Sequence, residues 1–341
     1  MWEYLKTLRK PILLYGMGDG AEKILAVLRE KGIPVAGIFA SDGFVRGHCF
    51  AGFPVMSYTE AKEKWGSFCV LLCFGTHRPE VVQLIRSVAE EQELYAPDVP
   101  VIGDGLFTRE YARGHRAELE KVYAALADEQ SRLVFRNVIE YKLTGKIEPL
   151  FLCETPPGEA WQSIIRPSRE EIYMDLGAYT GDTIREFIGR AGEYRTIYAV
   201  EPDPKTFAKL QKNTADLHDC ILFQLGIHST YAQMPFAAHA GRNSALAGEG
   251  RLTEMDSVDH LLCGRPVTYI KMDVEGQERA AIAGAAETIR RHRPRMMISA
   301  YHRTEDLFAL PLQVLALQPD YKLYLRHYPC LPAWDTAYYF V

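Results

Sequence analysis

The stretch "YMDLGAYTGDT", Tyr173–Thr183, decides the reading of this chain. An apolar run ends in a carboxylate, a turn follows with Gly177 and Gly181, and "TIREFIGR" continues at helical spacing. A strand that turns on glycine into a helix is the ligand-holding unit of an open α/β sheet, because glycine lets the backbone approach a bound molecule. Two features depart from the phosphate-binding version of that turn. The spacing is Gly177-x-x-x-Gly181 rather than G-x-G-x-x-G, and a carboxylate stands at each end, Asp175 and Asp182. Asp182 or Thr183 is placed to cap the helix.

A carboxylate beside a bound phosphate repels it, whereas one beside a sulfonium and an amino group is favoured. S-adenosylmethionine presents those two positive groups on an adenosine without phosphate, so the turn would select it by sign as well as shape. The plainer reading is that both acids only cap a turn. The next apolar run, "IYAVEPDP", weighs against that, because it ends in Glu201 at the distance where this fold class holds ribose hydroxyls with an acid.

From about residue 168 strands and helices alternate: "IYMDLG", "TIYAVEPD", "CILFQLG", "VTYIKMDVEG" and "RMMISAY" with helical runs between them. The tail breaks the rhythm. "YKLYLRHY" and "TAYYFV" lie too close for a helical crossover, so a hairpin is expected, giving a mixed seven-stranded sheet with an antiparallel C-terminal edge. Ligands bind outside the carboxyl ends of parallel strands, where "DVEGQE" places Asp273, Glu275 and Glu278 and "SAYHR" places Tyr301 and His302. Asp273 and Glu275 are candidates at the reacting end, whereas Glu278 reads as first-turn compensation of a helix dipole. His302 is a candidate base, since an alcohol loses its proton as it attacks a methyl group and histidine titrates near neutrality. Two carboxylates suit Mg²⁺ but do not make a metal site, and none is expected.

Residues 11–106 show an earlier strand and helix alternation, which predicts a smaller parallel α/β domain over 1–106. Its turn "YGMGDGA" fits G-x-G-x-x-A through Gly16, Gly18 and Ala21. The acid expected after the next strand is missing, since "VAGIFA" ends in Ala40 with Asp42 beyond it, and Asp19 sits inside the turn. Nucleotide or nucleotide-sugar binding, NAD-dependent chemistry and a docking or oligomerising scaffold all remain open for this domain. Residues 107–165 read as a helical connector, with two helices meeting near Asp128–Ser131 and ending at Gly145. The remaining 166–341 form the second domain.

Composition narrows the function classes. With 341 residues, 48% apolar content, a net charge of −5 and a pI near 6.1, the chain is an ordinary globular protein without a nucleic-acid footprint. Seven cysteines show no C-x-x-C pair, and no apolar run spans a membrane, so no membrane insertion and a cytoplasmic location are expected.

"MDLGAYTGDT", "VEPDP", "MDSVDHLL" and "YIKMDVEGQERAAIAGA", in this order, resemble the FkbM-type family of S-adenosylmethionine-dependent methyltransferases over roughly Glu171–Val341. The resemblance implies a class I methyltransferase fold and O-methylation of a sugar, polysaccharide or polyketide-type natural product. The acceptor would be a hydroxyl-bearing small molecule or glycan. Carried onto this chain, Asp175, Gly177, Ala178, Tyr179, Gly181 and Thr183 would shape the cofactor pocket, and Glu201 with Pro202 and Asp203 would hold the ribose side. Gly226 and Ile227 would lie near the adenine, with Ser244 carried over from "GRNSALAG", and Asp273 would stand at the methyl-transfer end. The third strand ends "FQLGIHS", where members more usually show an Asn and an Ala.

Overall fold

Short apolar runs become strands buried on both faces, which is why they read as continuous rather than alternating. The structure is a computed structural model and describes residues 1–45, 49–237, 245–246 and 251–341. The first sheet contains β1 (Ile12–Tyr15), β2 (Gly37–Ala40), β3 (Cys49–Phe50), β4 (Phe53–Ser57), β5 (Cys69–Leu72) and β6 (Glu93–Tyr95), in the order β3-β4-β2-β1-β5-β6. All its pairs are parallel except β3 with β4. The helix Asp19–Glu30 buries Ala21, Ile24, Leu25 and Leu28, one face of a helix, against this sheet. Tyr58–Trp65 begins with a reciprocal cap between Ser57 and Glu60.

The connector contains Arg109–Gly114, Arg116–Ala125 and Glu129–Thr144. Asp128 caps the last of these through Ser131 N–H at 2.8 Å, and Gly145 ends it in the left-handed region at φ +70°.

The second domain opens with β7 (Ile172–Leu176), β8 (Thr196–Val200) and β9 (Cys220–Phe223). A small sheet follows, made of β10 (Gly226–Ile227), β11 (Ala232–Ala237), β12 (Ala245–Leu246) and β13 (Arg251–Asp256). β14 (Tyr269–Met272), β15 (Arg295–Ser299), β16 (Leu323–His327) and β17 (Thr336–Phe340) complete the main sheet, ordered β16-β17-β15-β14-β7-β8-β9. The expected C-terminal hairpin forms, but β17 inserts beside β15 and runs antiparallel to both neighbours, so β16 becomes the edge. That edge is covered by the connector. Leu325 N–H donates to Ser131 Oγ at 2.9 Å, and the buried Arg326 reaches Asp128 at 2.7 Å and Glu159 at 2.8 Å. The sequence patterning did not separate the small sheet, because its strands are short and only partly apolar.

One apolar core runs from Leu13 and Phe39 of the first sheet through Val134 and Val138 of the connector to Ile270 and Phe340 of the second. Within the second sheet the strand order reverses at β7, whose neighbours are β8 and β14. The crevice at such a switch point is where open α/β sheets receive ligands.

His327, on the covered edge strand, is fully buried, with Nδ1 3.0 Å from Thr336 Oγ1. Burial holds its imidazole down to about 4. The unfolded chain therefore takes up this proton before the folded one, and the stability tied to the neutral ring is lost as pH falls from the usual histidine range toward 4. The stability advantage of the native chain over His327→Gln is expected to shrink by about 2 kcal/mol between about pH 7 and pH 5. Urea unfolding of both chains at the two pH values checks this, and a constant difference would remove His327 from the acid sensitivity.

Candidate active site

At the end of β7 the chain turns directly against β14. Gly177 has φ +81°, and a Cβ there would overlap the carbonyl oxygen of Asp273. The turn is pinned on its other side by Gly177 and Ala178 N–H groups donating to Val200 O at 3.1 and 2.9 Å. Gly181, at φ +88°, occupies the helix N-cap position without a side-chain cap. Neither Asp182 nor Thr183 caps this helix, contrary to the sequence expectation. Thr183 instead turns inward and donates its hydroxyl to Asp175.

Asp175 differs most from its expected role. Its side chain is fully buried under the turn, with Oδ1 3.2 Å from Lys271 Nζ on the adjacent strand β14. Lys271 also donates to Gly177 O at 2.9 Å. Burial raises the Asp175 carboxyl and Lys271 works against that rise, while Asp175 and Asp273 hold the lysine above its ordinary value despite its own burial. The negative charge that was to favour a sulfonium is thus compensated inside the protein, and Asp175 serves to fasten the turn to β14. Lys271 was missed in the sequence, although a lysine within "YIKMD" is itself a sign of a buried ion pair.

Glu201, at the end of β8, is the acid that faces the turn. Its Oε2 accepts Tyr179 N–H at 3.1 Å and its Oε1 accepts Asp203 N–H at 2.9 Å. Tyr179 presents that N–H from a left-handed backbone at φ +47°. Burial pushes the Glu201 carboxyl up to about 7, against the pull of its two backbone donors. Asp203 is occupied otherwise, capping the helix Pro204–Asn213 through Thr206 N–H and Oγ1, both at 2.8 Å. Pro202, half-buried, joins Glu201 to that cap. Gly226 and Ile227 lie in β10 of the small sheet, and a Cβ at Gly226 would overlap the sulfur of Met255, so this glycine is required by packing. Ser244 lies outside the described residues.

The ends of β14 and β15 bring Asp273, Glu275, Glu278, Tyr301 and His302 together. Tyr301 donates to Asp273 Oδ1 at 3.4 Å. His302 is fully buried, whereas the Asp273 and Glu275 side chains are 31% and 25% exposed. A buried imidazole meets no acceptor hydroxyl, so His302 does not fit the expected role of base, and of these groups Asp273 and Glu275 reach open space. Glu278 stands in the first turn of the helix Glu278–Gly284, as expected, but it is not exposed. It is 1% exposed, accepts Val274 N–H at 3.0 Å and lies 3.0 Å from His302 Nδ1.

The segment after the first sheet forms one wall of this corner. Ile102 N–H donates to His302 O at 2.9 Å, Ile102 packs on Gly276, Arg303 Nε donates to Gly276 O at 2.7 Å, and Thr304 donates to Gly105 O at 3.0 Å. No sequence pattern pointed to this contact between domains.

At the first-domain turn, Gly16 and Gly18 are both left-handed, at φ +104° and +103°. A Cβ at Gly16 would overlap the Phe74 ring, so this glycine is required by packing, whereas the space beside Gly18 is open. Asp19 pairs with Lys23 at 2.7 Å, and Asp42 accepts from Thr59 N–H and Oγ1.

Residues 175–323 match the family model described as the methyltransferase FkbM domain. The chain is similar to the crystal structure of methyltransferase FkbM from Methylobacillus flagellatus KT, with 22% identity, a TM-score of 0.74 and coverage of 97% of this chain and 90% of that one. That likeness spans both domains and shows the fold. Smaller likenesses include an rRNA methylase from Streptococcus thermophilus (15% identity, TM-score 0.34, 51% of this chain and 87% of that one). Aeropyrum pernix fibrillarin, in complex with natively bound S-adenosyl-L-methionine, is another (16% identity, TM-score 0.35, 54% and 71%). No curated protein matches the chain. Among the described residues, no helix is long and apolar enough to cross a membrane.

Proposed function

We propose that the chain, whose residues 175–323 match the methyltransferase FkbM domain model, binds S-adenosylmethionine at the β7 turn and methylates a hydroxyl oxygen of an acceptor. The acceptor class is a sugar, polysaccharide or natural product. The observation that carries the reading is the cradle of Gly177, Tyr179 and Glu201 at the switch point of the sheet. Gly177 lets the turn pack directly on the Asp273 carbonyl, and beside it stands a carboxylate already oriented by two N–H groups.

These residues fit the cofactor in chemistry and sign. Gly177 and Gly181 would shape the turn on which it rests, and Glu201 would accept its ribose hydroxyls. When bound, the cofactor supplies the activated methyl group. What remains for the chain is to align the acceptor, exclude water and take a hydroxyl proton. Asp273, with its partly exposed carboxylate steadied by Tyr301, is the group placed to accept that proton, and Glu275 stands beside it. Ile102 would close this corner from the side of the first domain, with Arg303 of the second domain beside it. A soluble chain acting near the cytoplasmic pools of cofactor fits this reading, as does self-association through the first domain.

Detection of S-adenosylhomocysteine after incubation with S-adenosylmethionine and a hydroxylated glycan panel tests the activity. Calorimetry with the cofactor alone tests the cradle, and no binding by the intact chain would remove the proposal. Glu201 accepts hydroxyl hydrogen bonds best when ionised, so cofactor affinity is expected to rise with pH through about 7 and then level off. Glu201→Gln is expected to weaken binding by about 1.5–3 kcal/mol and to flatten that profile.

A further inference from the structure

The acidic corner beyond the cradle has a feature that methyl transfer does not use. His302 Nε2 lies 3.5 Å from Asp273 Oδ1 and 3.4 Å from Glu275 Oε2, yet it makes no hydrogen bond and is fully buried. The other ring nitrogen, Nδ1, lies 3.0 Å from Glu278 Oε1. Glu278 is itself fixed by the N–H of Val274. The ligand-type atoms of Asp273, Glu278 and His302 all lie within 4.8 Å of one another. Nearby basic groups are engaged elsewhere, Lys271 with Asp175 and Gly177 and Arg303 with Gly276. The corner therefore concentrates acceptors around a buried imidazole neither of whose nitrogens makes a hydrogen bond.

We propose that His302 Nε2 and the carboxylates of Asp273 and Glu275 bind one divalent transition-metal ion. Glu278, 3.0 Å from Nδ1, is the positioning residue that would take up its proton once the ion holds Nε2. A carboxylate behind a ligating histidine is the usual way to fix its tautomer and orientation. The spacing about Nε2 also fits. Two ligands about 2.1 Å from a tetrahedral ion are about 3.4 Å apart, the separation seen between Nε2 and both carboxylates, and longer than a good hydrogen bond. One nitrogen and two oxygens form a mixed set that suits Zn²⁺ better than Mg²⁺, which prefers oxygen and water. The partial exposure of Asp273 and Glu275 gives the ion a route in and a face open to a fourth ligand.

Ion binding does not depend on the methyl-transfer reading, and the two are tested apart. The metal-stripped full chain is titrated with Zn²⁺ by calorimetry and with Co²⁺ by visible absorption, with no methyl donor present. One ion per chain and a tetrahedral Co²⁺ band are expected. Glu275→Gln should weaken binding by at least about tenfold, and Glu278→Gln by about 10–100-fold. His302→Gln should abolish the band. Thermal melting of Glu275→Gln, a partly exposed position, separates loss of a ligand from loss of the fold. The proposal is overturned if the intact chain takes up no stoichiometric ion, or if uptake is unchanged in Glu275→Gln and His302→Gln. A thiolate-to-cobalt band would also overturn it, since that would put the ion on the exposed Cys49 or Cys263.

Discussion

Gly177→Ala is expected to destabilise the protein by about 2–6 kcal/mol and to abolish binding of S-adenosylmethionine. About 1–3 kcal/mol comes from placing a side chain in the left-handed region. About 1–3 kcal/mol more comes from overlap with the Asp273 carbonyl, which belongs to backbone and cannot rotate aside. Relief requires β7 and β14 to separate at the point where the cradle forms. The control is Gly192→Ala, because Gly192 has nearly the same φ, +79°, but no heavy atom near its missing Cβ. Thermal melting and calorimetry on both variants decide the matter. Equal losses would show that only φ is at issue, whereas full cofactor affinity in Gly177→Ala would displace the binding site from this turn.

Lys271→Met is expected to cost about 3–5 kcal/mol, because it leaves the fully buried Asp175 without its counter-charge. The expected rescue distinguishes this structural role from direct contact with a cofactor. In the double variant Asp175→Asn with Lys271→Met no buried charge is stranded, and most of the lost stability should return. If Asp175 acts only through the turn, the double variant should also keep most of its affinity for S-adenosylmethionine. A chain that refolds fully yet binds no cofactor would instead give the Asp175 carboxylate the direct role inferred from its position in the sequence.

The contrast between Asp175 and Glu201 shows how far local pattern reaches. Both acids end apolar strands, and both are legible as members of a ligand turn. Sequence spacing cannot tell which carboxylate faces the crevice and which is matched by a lysine from a strand nearly a hundred residues later. His302 and Glu278 show the same limit in reverse. The histidine looked like a reactive group and the glutamate like a helix-end charge, but packing buries both and puts them 3.0 Å apart.

By itself the sequence determined the two α/β units, the helical linker between them, the C-terminal hairpin, the glycine turn and the identity of the acids at the strand ends. These follow from hydrophobic periodicity and from glycine's access to positive φ, which are properties of neighbouring residues. Only the tertiary structure decided the insertion of β17, the shared core, the Ile102 wall, the Lys271–Asp175 pair and the carboxylates around His302. Each of these depends on residues far apart in the chain meeting where water is excluded, and there the cost of an unpaired charge selects its partner.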